Sequence, residues 1–239
     1  MKWTEPLAQA PLPHANAIRE KVRIRFRKVG PLRFIGHQDL LQCWERLLRR
    51  TQLPLRYSEG FHPKPRVSSP LSLGLGIEGR DEIIEVELAP MPPLESVDEA
   101  LRRQAVPGLE IVSVTRHPSK ERARVTAVEY SLQLPPGTPS APLRELATEA
   151  LAASTLETHR RRPGKPDRTI DLRPWLLDLA VDDHQVRFRT AVTEKGTARP
   201  EEILSLLGLD HATEQGAVLV RSRVELAEAP RHGAAPGHG

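Results

Sequence analysis

Two histidines stand in segments where they could act on a ligand. His37 follows Gly36 at the start of a predicted helix, and His62 lies in a proline-rich loop beside Lys64 and Arg66. Imidazole titrates near neutral pH, so either ring could serve as a general base or hydrogen-bond a ligand. A histidine at a helix start is more often structural than catalytic, which makes His37 a weak catalytic candidate. The two rings could also form a metal pair, but no third ligand is evident, and we predict no metal site.

The loop around His62 has the clearest pattern for ligand binding. It spans residues 59–80 and contains three prolines and four glycines. Pro63 and Pro65 keep the chain extended, and a loop of this length inside a compact domain usually carries function. The side chains expected to form a basic, hydrogen-bonding edge are Tyr57, Ser58, His62, Lys64 and Arg66.

A stripe of arginines in the alternating segment 21–28 is a second candidate. Arg23, Arg25 and Arg27 share one face of the predicted strand and lie about 7 Å apart, a spacing that resembles the phosphate repeat of an extended single strand. Residues 19–66 hold 13 basic and 4 acidic residues, whereas the remainder is mildly acidic. Such a concentration predicts a polyanion or an acidic protein partner. A merely solvated sheet face would give the same pattern.

Further basic residues extend this surface. Arg33 follows the strand and belongs to the same predicted polyanion site. A second cluster surrounds the Pro163–Gly164 turn, and it comprises His159–Arg162, Lys165, Arg168 and Arg173. It could close over a ligand held by the first block, and Arg173 is included in the predicted site for that reason. It could equally be a solvated hairpin tip.

The composition excludes several classes of protein. The chain has 239 residues, a net charge of +4 and a single cysteine, Cys43. One cysteine permits no internal disulfide and no cysteine-based zinc or iron–sulfur site, and it suits a reducing cytosol. No apolar run approaches the roughly 18 residues of a membrane span, and no phosphate-binding loop or hydrolase motif occurs. We therefore expect a cytoplasmic protein with no membrane partner and no cofactor of its own.

Hydrophobic periodicity predicts the elements that must position these residues. In the first half, strands are predicted at 21–28, 55–58, 82–88 and 109–115, and helices at 37–51 and 94–105. In the second half, strands are predicted at 127–134, 155–160, 176–181, 184–192 and 217–226, and helices at 142–153 and 200–207. The order β-α-β-β-α-β occurs twice, with extra strands in the second half. It predicts an α+β fold of tandem ferredoxin-like domains with antiparallel sheets.

The predicted domains cover residues 19–118 and 125–228. Residues 1–18 and 229–239 are rich in proline, alanine or glycine and show no periodicity. We predict that they form a disordered lead and a disordered tail.

The helix start and the long loop resemble the DUF2344 family, the radical SAM-linked proteins. The resemblance rests on Phe34, Ile35, His37, Asp39 and Leu40 before and in the helix, on Tyr57, Ser58, Gly60, Phe61, Pro63 and Pro65 in the loop, and on Pro70, Leu71, Leu73, Gly74 and Glu82 beyond it. The later segment TIDLRPWL also resembles a family segment. Gly36 stands where the family usually has serine, which weakens the helix cap, and His62 stands where asparagine is common.

The resemblance implies a protein that occurs beside, or fused to, a radical SAM protein. The iron–sulfur cluster, S-adenosylmethionine and possibly cobalamin are then expected on that partner, because this chain lacks the cysteines for a cluster. We expect a non-catalytic accessory module that presents an RNA or another anionic substrate. Two alternatives remain open: a metal-independent RNA-processing enzyme that uses His37, and a pure protein-docking module for the radical SAM partner.

Overall fold

This computed structural model describes residues 20–162 and 164–227. These residues contain ten strands and four α-helices. The strands are β1 Glu20–Lys28, β2 Val67–Ser68, β3 Glu78–Leu88, β4 Leu109–Pro118, β5 Val125–Gln133, β6 Glu157–Arg162, β7 Lys165–Asp171, β8 Leu176–Val181, β9 Gln185–Ala191 and β10 Leu219–Leu226. The helices are α1 His37–Arg50, α2 Leu94–Gln104, α3 Ser140–Ala152 and α4 Pro200–Leu206. The predicted α+β class is confirmed.

The first helix shows how the sequence pattern determines the packing. It begins at His37, as predicted, and buries Leu40, Trp44, Leu47 and Leu48 along one face. These residues recur at the spacing of an amphipathic helix. The Trp44 ring meets the Phe26 ring of β1 edge to face, with 5.0 Å between the centroids. The helix therefore covers one face of the sheet.

Each half of the chain arranges its strands in the same order. In the first half the order is β4-β1-β3, with β2 pairing the far end of β3. In the second half the order is β10-β5-β9-β8. All pairs within each half are antiparallel. The β6–β7 hairpin lies apart as a two-stranded sheet between α3 and β8.

The two halves share one sheet, which differs from the predicted pair of antiparallel sheets. Strand β10 runs parallel to β3, with Val220 opposite Glu78 and Arg221 opposite Gly79. One parallel pair thus joins two antiparallel halves. The parallel contact involves only two residue pairs, which is too short a stretch to leave a pattern in either strand.

Two hydrophobic cores lie on this sheet. The first contains Trp44 and the buried residues of β1, α1 and α2. The second contains Tyr130 and Phe188, whose rings stack with 5.2 Å between their centroids. Leu73, Ile77 and Ile83 come from the first half but pack in the second core. Residues just before and within β3 therefore connect the two halves through the second core. The predicted domain boundaries stay a prediction.

Two of the predicted strands take another form. Residues 55–58 make only isolated bridges, Leu55 to Leu88 and Tyr57 to Pro65, because Pro54 and Pro65 lack the N–H that a ladder needs. The predicted strand 155–160 is one arm of the separate hairpin. The predicted lead 1–18 and tail 229–239 lie outside the described residues. None of the described helices has the length and apolar character needed to cross a bilayer.

A buried ion pair lies where β3 meets β10. The Nε of Arg221 donates to the Glu82 carboxylate at 2.8 Å, and a second guanidinium nitrogen contacts the other carboxylate oxygen. The third nitrogen donates to the Ser72 carbonyl at 2.9 Å. A Cβ at position 79 would overlap the Glu82 side chain, so Gly79 makes room for the pair.

Candidate functional site

A polar pocket lies on the face of the sheet opposite α1 and α2. Val22 and Val86 point into the core beneath the helices, so their neighbours Lys21, Glu85 and Glu87 face the other way. The pocket has a volume of about 490 Å³. Its polar lining consists of Lys21, Arg66, Ser68, Ser69, Glu85, Glu87, Ser119 and Arg122. We call it the polar pocket.

The floor of the polar pocket is an ion-paired cluster. Lys21 Nζ lies 2.8 Å from Glu85 Oε2, and both side chains are 5% exposed. Arg23 Nε donates to the other oxygen of Glu85 at 3.0 Å. A second nitrogen of Arg23 lies 3.6 Å from the Glu121 carboxylate, so the cluster links two cations to two carboxylates.

The wall of the polar pocket holds groups with unused bonding capacity. Glu87 Oε2 is buried and accepts no hydrogen bond from any described residue. It lies 3.9 Å from Arg56 Nε and 4.0 Å from an Arg66 nitrogen, too far for hydrogen bonds. Arg122 on the opposite wall is exposed and has no salt bridge to a described residue. A ligand could therefore offer a donor to Glu87 and an anion to Arg66 and Arg122.

The predicted binding loop leaves the polar pocket at Arg66. Ser58 N donates to the Lys64 carbonyl at 2.8 Å, and Lys64 N donates to Ser58 Oγ at 3.1 Å. Tyr57 and Pro65 form a bridge below them, and Arg66 Nε donates to the Tyr57 carbonyl at 3.2 Å. These bonds close residues 57–65 into a hairpin-like loop, which we call the loop hairpin.

All residues of the loop hairpin except Pro65 are exposed. Tyr57 is 44% exposed and Phe61 at the tip is fully exposed. His62 and Lys64 are exposed, and neither side chain makes a hydrogen bond within the described residues. The structure thus places four of the five residues predicted for the loop edge on the loop hairpin, with Arg66 at its base.

The arginine stripe is neutralised by acidic neighbours. Arg23 pairs with Glu85, as described above. Arg25 lies 2.5 Å from Asp81, and Arg27 lies 3.2 Å from Glu110. Each predicted cation therefore has a carboxylate partner, which the one-strand pattern could not show because those acids come from β3 and β4. A polyanion role for the stripe stays a prediction, and it requires these pairs to exchange partners.

A family model matches residues 21–200, which is most of the chain and spans the polar pocket and the loop hairpin. The chain belongs to the DUF2344 family. The family is described as an uncharacterised protein conserved in bacteria. No curated protein matches the chain.

Solved structures also resemble this DUF2344 chain. One is a chain of the crystal structure of a Cbf5-Nop10-Gar1 complex, with 11% sequence identity and a TM-score of 0.42. The match covers 85% of the DUF2344 chain and 48% of the other one. The DUF2344 chain therefore spans about half the length of the chain it matches.

His37 occupies the first turn of α1 in this DUF2344 protein. Gly36 precedes it in an extended conformation and provides no side-chain cap. The His37 side chain makes no hydrogen bond within the described residues and does not line the polar pocket. Among those residues, no group of three histidine, cysteine, aspartate or glutamate side chains has the arrangement to hold a metal ion.

Arg33 lies away from the polar pocket. Its guanidinium carbon sits 4.5 Å above the centre of the Phe34 ring, and one nitrogen is 3.7 Å from Glu78. Arg33 and Phe34 line a second cleft of about 330 Å³, and Leu75 and Leu204 are among its apolar lining residues. Arg33 therefore lines a different cleft from Arg66 and the other residues of the polar pocket.

The Arg173 guanidinium is hydrogen-bonded to main-chain carbonyls. Its three guanidinium nitrogens donate to the carbonyls of Ala153, Leu176 and Leu151 at 3.1, 2.7 and 3.2 Å. Two of these carbonyls belong to the C-terminal end of α3, where they lack helical partners. Asp171 completes the motif by accepting the Arg173 N–H, and two such backbone bonds lower the pKa of its carboxyl. A ligand at Arg173 would have to displace these contacts.

Several residues of the polar pocket were not among those predicted from the sequence. Lys21 continues the alternation of the arginine stripe, so its orientation was predictable. Ser119 and Arg122 lie in the connection between β4 and β5, which has no periodicity to mark it. Glu87 was part of the predicted strand 82–88. That its Oε2 lacks a hydrogen bond could not be predicted, because this depends on where Arg56 and Arg66 lie in the fold.

Proposed function

We propose that this DUF2344 protein is an accessory module that binds RNA through the polar pocket and the loop hairpin and presents it to a radical SAM partner. The observation that carries the proposal is the polar pocket itself. Its walls offer two guanidinium groups, three serine side chains and an unsatisfied carboxylate oxygen. Phosphate suits the planar guanidinium, and a ribose hydroxyl or a base N–H suits the carboxylate.

The binding free energy is assigned to the cations that lack close carboxylates. Arg122 and Lys64 form no ion pair with a described residue, and the carboxylate that faces Arg66, that of Glu87, is 4.0 Å away. We assign the neutralisation of phosphates to these three cations. The arginine stripe serves as a fixed, paired surface beside them. This assignment differs from a uniform basic patch, because it predicts that only a few cations govern affinity.

We further propose that the protein consists of two ferredoxin-like units in tandem and acts with a radical SAM partner. The strand order β4-β1-β3-β2 and its counterpart β10-β5-β9-β8 support two ferredoxin-like units in tandem. The radical SAM partner would supply the iron–sulfur cluster, S-adenosylmethionine and possibly cobalamin, and the pair would act in the cytosol. The resemblance of the loop and helix start to the radical SAM-linked proteins supports this part.

The test is RNA binding at two salt concentrations. We expect fluorescence polarisation with a labelled single-stranded RNA to show an affinity that falls steeply as salt rises. Arg66→Ala/Arg122→Ala should weaken binding roughly 10- to 100-fold, since a hydrogen bond to a charged group contributes about 1.5–3 kcal/mol. The matched control is Arg49→Ala/Arg103→Ala, which removes two exposed arginines from α1 and α2. Equal affinities for the two double variants would overturn the proposal.

Exposed apolar residues at the second cleft favour a protein-docking function as the second candidate. Phe34 is 62% exposed and Leu75 is 69% exposed, and both line that cleft. If docking is the whole function, Phe34→Ser/Leu75→Ser should lose co-purification with the radical SAM partner, and nuclease treatment should not affect the wild-type complex. A wild-type complex that nuclease dissolves would exclude this candidate.

A further inference from the structure

We propose that Phe61 is a stacking platform for an unpaired RNA base. The inference rests on the proposed RNA binding, and it adds that the ligand is single-stranded beside the polar pocket. Phe61 stands at the tip of the loop hairpin, and its side chain is fully exposed. Of the large hydrophobic residues in the described ranges, it has the greatest exposure.

Full exposure of a phenylalanine needs a reason. Burying such a ring would release apolar surface from water, worth roughly 1.5–3 kcal/mol. The ring contributes nothing to either hydrophobic core, so it does not stabilise the described fold. The ring is therefore available to a ligand, and aromatic side chains are enriched at binding interfaces.

Hydrogen bonds fix the base of the loop hairpin that carries the Phe61 ring before any ligand binds. Two bonds between Ser58 and Lys64 close the loop above the Tyr57–Pro65 bridge. Below the bridge, Arg56 N donates to the Glu87 carbonyl and Glu87 N donates to the Arg66 carbonyl, at 3.0 and 3.1 Å. The loop is thus anchored directly in β3. Binding then orders few additional residues, which keeps its entropic cost low.

The surroundings of the ring favour a nucleic acid. His62 and Lys64 are exposed beside it, and Arg66 connects the loop to the polar pocket. Base stacking on an aromatic ring next to a cationic track is the usual mode of single-strand binding. Phe61 lies in the bend at residues 59–62, four residues beyond Tyr57, so it is at most about 13 Å from the loop base. A strand with a phosphate in the pocket can therefore reach the ring within a few nucleotides.

The inference has a distinct energetic signature. Stacking uses the face of the base and not the phosphate charge. Loss of Phe61 should lower affinity without changing the salt dependence, whereas loss of Arg66 should change both. A base that is already paired in a duplex is unavailable to the ring, so a duplex should gain nothing from Phe61.

The experiment compares two labelled probes of equal length, a ten-nucleotide oligoadenylate and its abasic ribose-phosphate counterpart. Phe61→Ala should weaken binding of oligoadenylate roughly 5- to 100-fold and leave the abasic probe unaffected. Leu177→Ala is the control, because it removes another exposed large apolar side chain, outside the loop hairpin and the second cleft. Phe61→Trp should retain affinity, and its fluorescence, measured as the difference from wild type, should be quenched by oligoadenylate.

The outcomes separate the two proposals. If the wild type binds neither probe, the proposed RNA function fails. If the wild type binds oligoadenylate and Phe61→Ala binds it equally well, RNA binding stands and stacking on Phe61 is wrong. Stacking is also wrong if Phe61→Ala keeps RNA affinity but loses the radical SAM partner, because the ring would then anchor a protein.

Discussion

Two nitrogens of the Arg221 guanidinium bind the two oxygens of the Glu82 carboxylate at the point where the two halves of the sheet join. Both side chains are almost completely buried, and the pair is reinforced by the Ser72 carbonyl. Burial alone would lower the pKa of Arg221, but the Glu82 charge outweighs it and raises the pKa above its ordinary value. Arg221 therefore stays charged, and its hydrogen bonds to Glu82 link β10 to β3.

Removal of one partner from this pair should strongly destabilise the protein. We expect Glu82→Gln to lower the free energy of unfolding by about 3–5 kcal/mol, because it leaves a buried guanidinium without its counter-charge. Urea unfolding measures the change. The double variant Glu82→Gln/Arg221→Met should lose less than the sum of the two single variants. Purely additive losses would mean that the pair does not act as a unit.

Lys28 should make stability depend on pH in the alkaline range. Burial lowers its pKa below 10.5, opposed by Glu82 and assisted by Arg221. Between the lowered pKa and 10.5 the unfolded chain binds more protons than the folded one, so the free energy of unfolding should rise with pH. Lys28→Met should lack this rise, which urea titrations at several pH values would reveal.

A lysine variant elsewhere provides the control for that experiment. Lys195 is exposed, and Lys195→Met should follow the wild-type pH profile. Parallel profiles for wild type and Lys28→Met would contradict the assignment. Loss of the Lys28 ammonium also frees the carbonyls of Arg33 and Ile35, so Lys28→Met should be less stable at neutral pH as well.

Arg173 distinguishes a structural role from a ligand role. Arg173→Lys keeps the charge, but its single ammonium nitrogen cannot take the positions of the three guanidinium nitrogens that reach the carbonyls of Leu151, Ala153 and Leu176. We expect a loss of about 2–3 kcal/mol in the free energy of unfolding, with RNA affinity unchanged. If the variant is instead as stable as the wild type and binds RNA more weakly, Arg173 is a ligand-binding residue.

Gly36 can be tested as an unused helix cap. It has an extended backbone at the N-terminus of α1, where a serine could accept a backbone N–H of the first turn. A Cβ there would meet only Asp39, at an ordinary contact distance of 3.6 Å. Gly36→Ser should therefore raise the free energy of unfolding by a few tenths of a kcal/mol. A lower melting temperature would show that Gly36 is needed for another reason.

Much of the fold was predictable because local periodicity governs it. The start of α1 at His37, the alternation of β1 and the order of elements in each half follow from spacing alone. The parallel pairing of β3 with β10 was not predictable, since it joins residues about 140 positions apart through a buried ion pair. Such a contact leaves no periodic trace in either segment.

The candidate site was predictable only in its local part. Tyr57, Ser58, His62, Lys64 and Arg66 lie together on one loop, as their neighbouring positions suggested. The arginine stripe misled because the carboxylates that neutralise it come from other strands. Arg122 was missed because it lies in an irregular connection between two strands.

The position of β10 also has a consequence for biosynthesis. This strand is made after all the others described, yet it occupies the centre of the sheet between β3 and β5. A nascent chain that ends before residue 219 would expose open edges on both neighbours and leave Glu82 without Arg221. Such edges pair readily with other chains. We therefore expect truncation before β10 to yield aggregates rather than an isolated, folded first half.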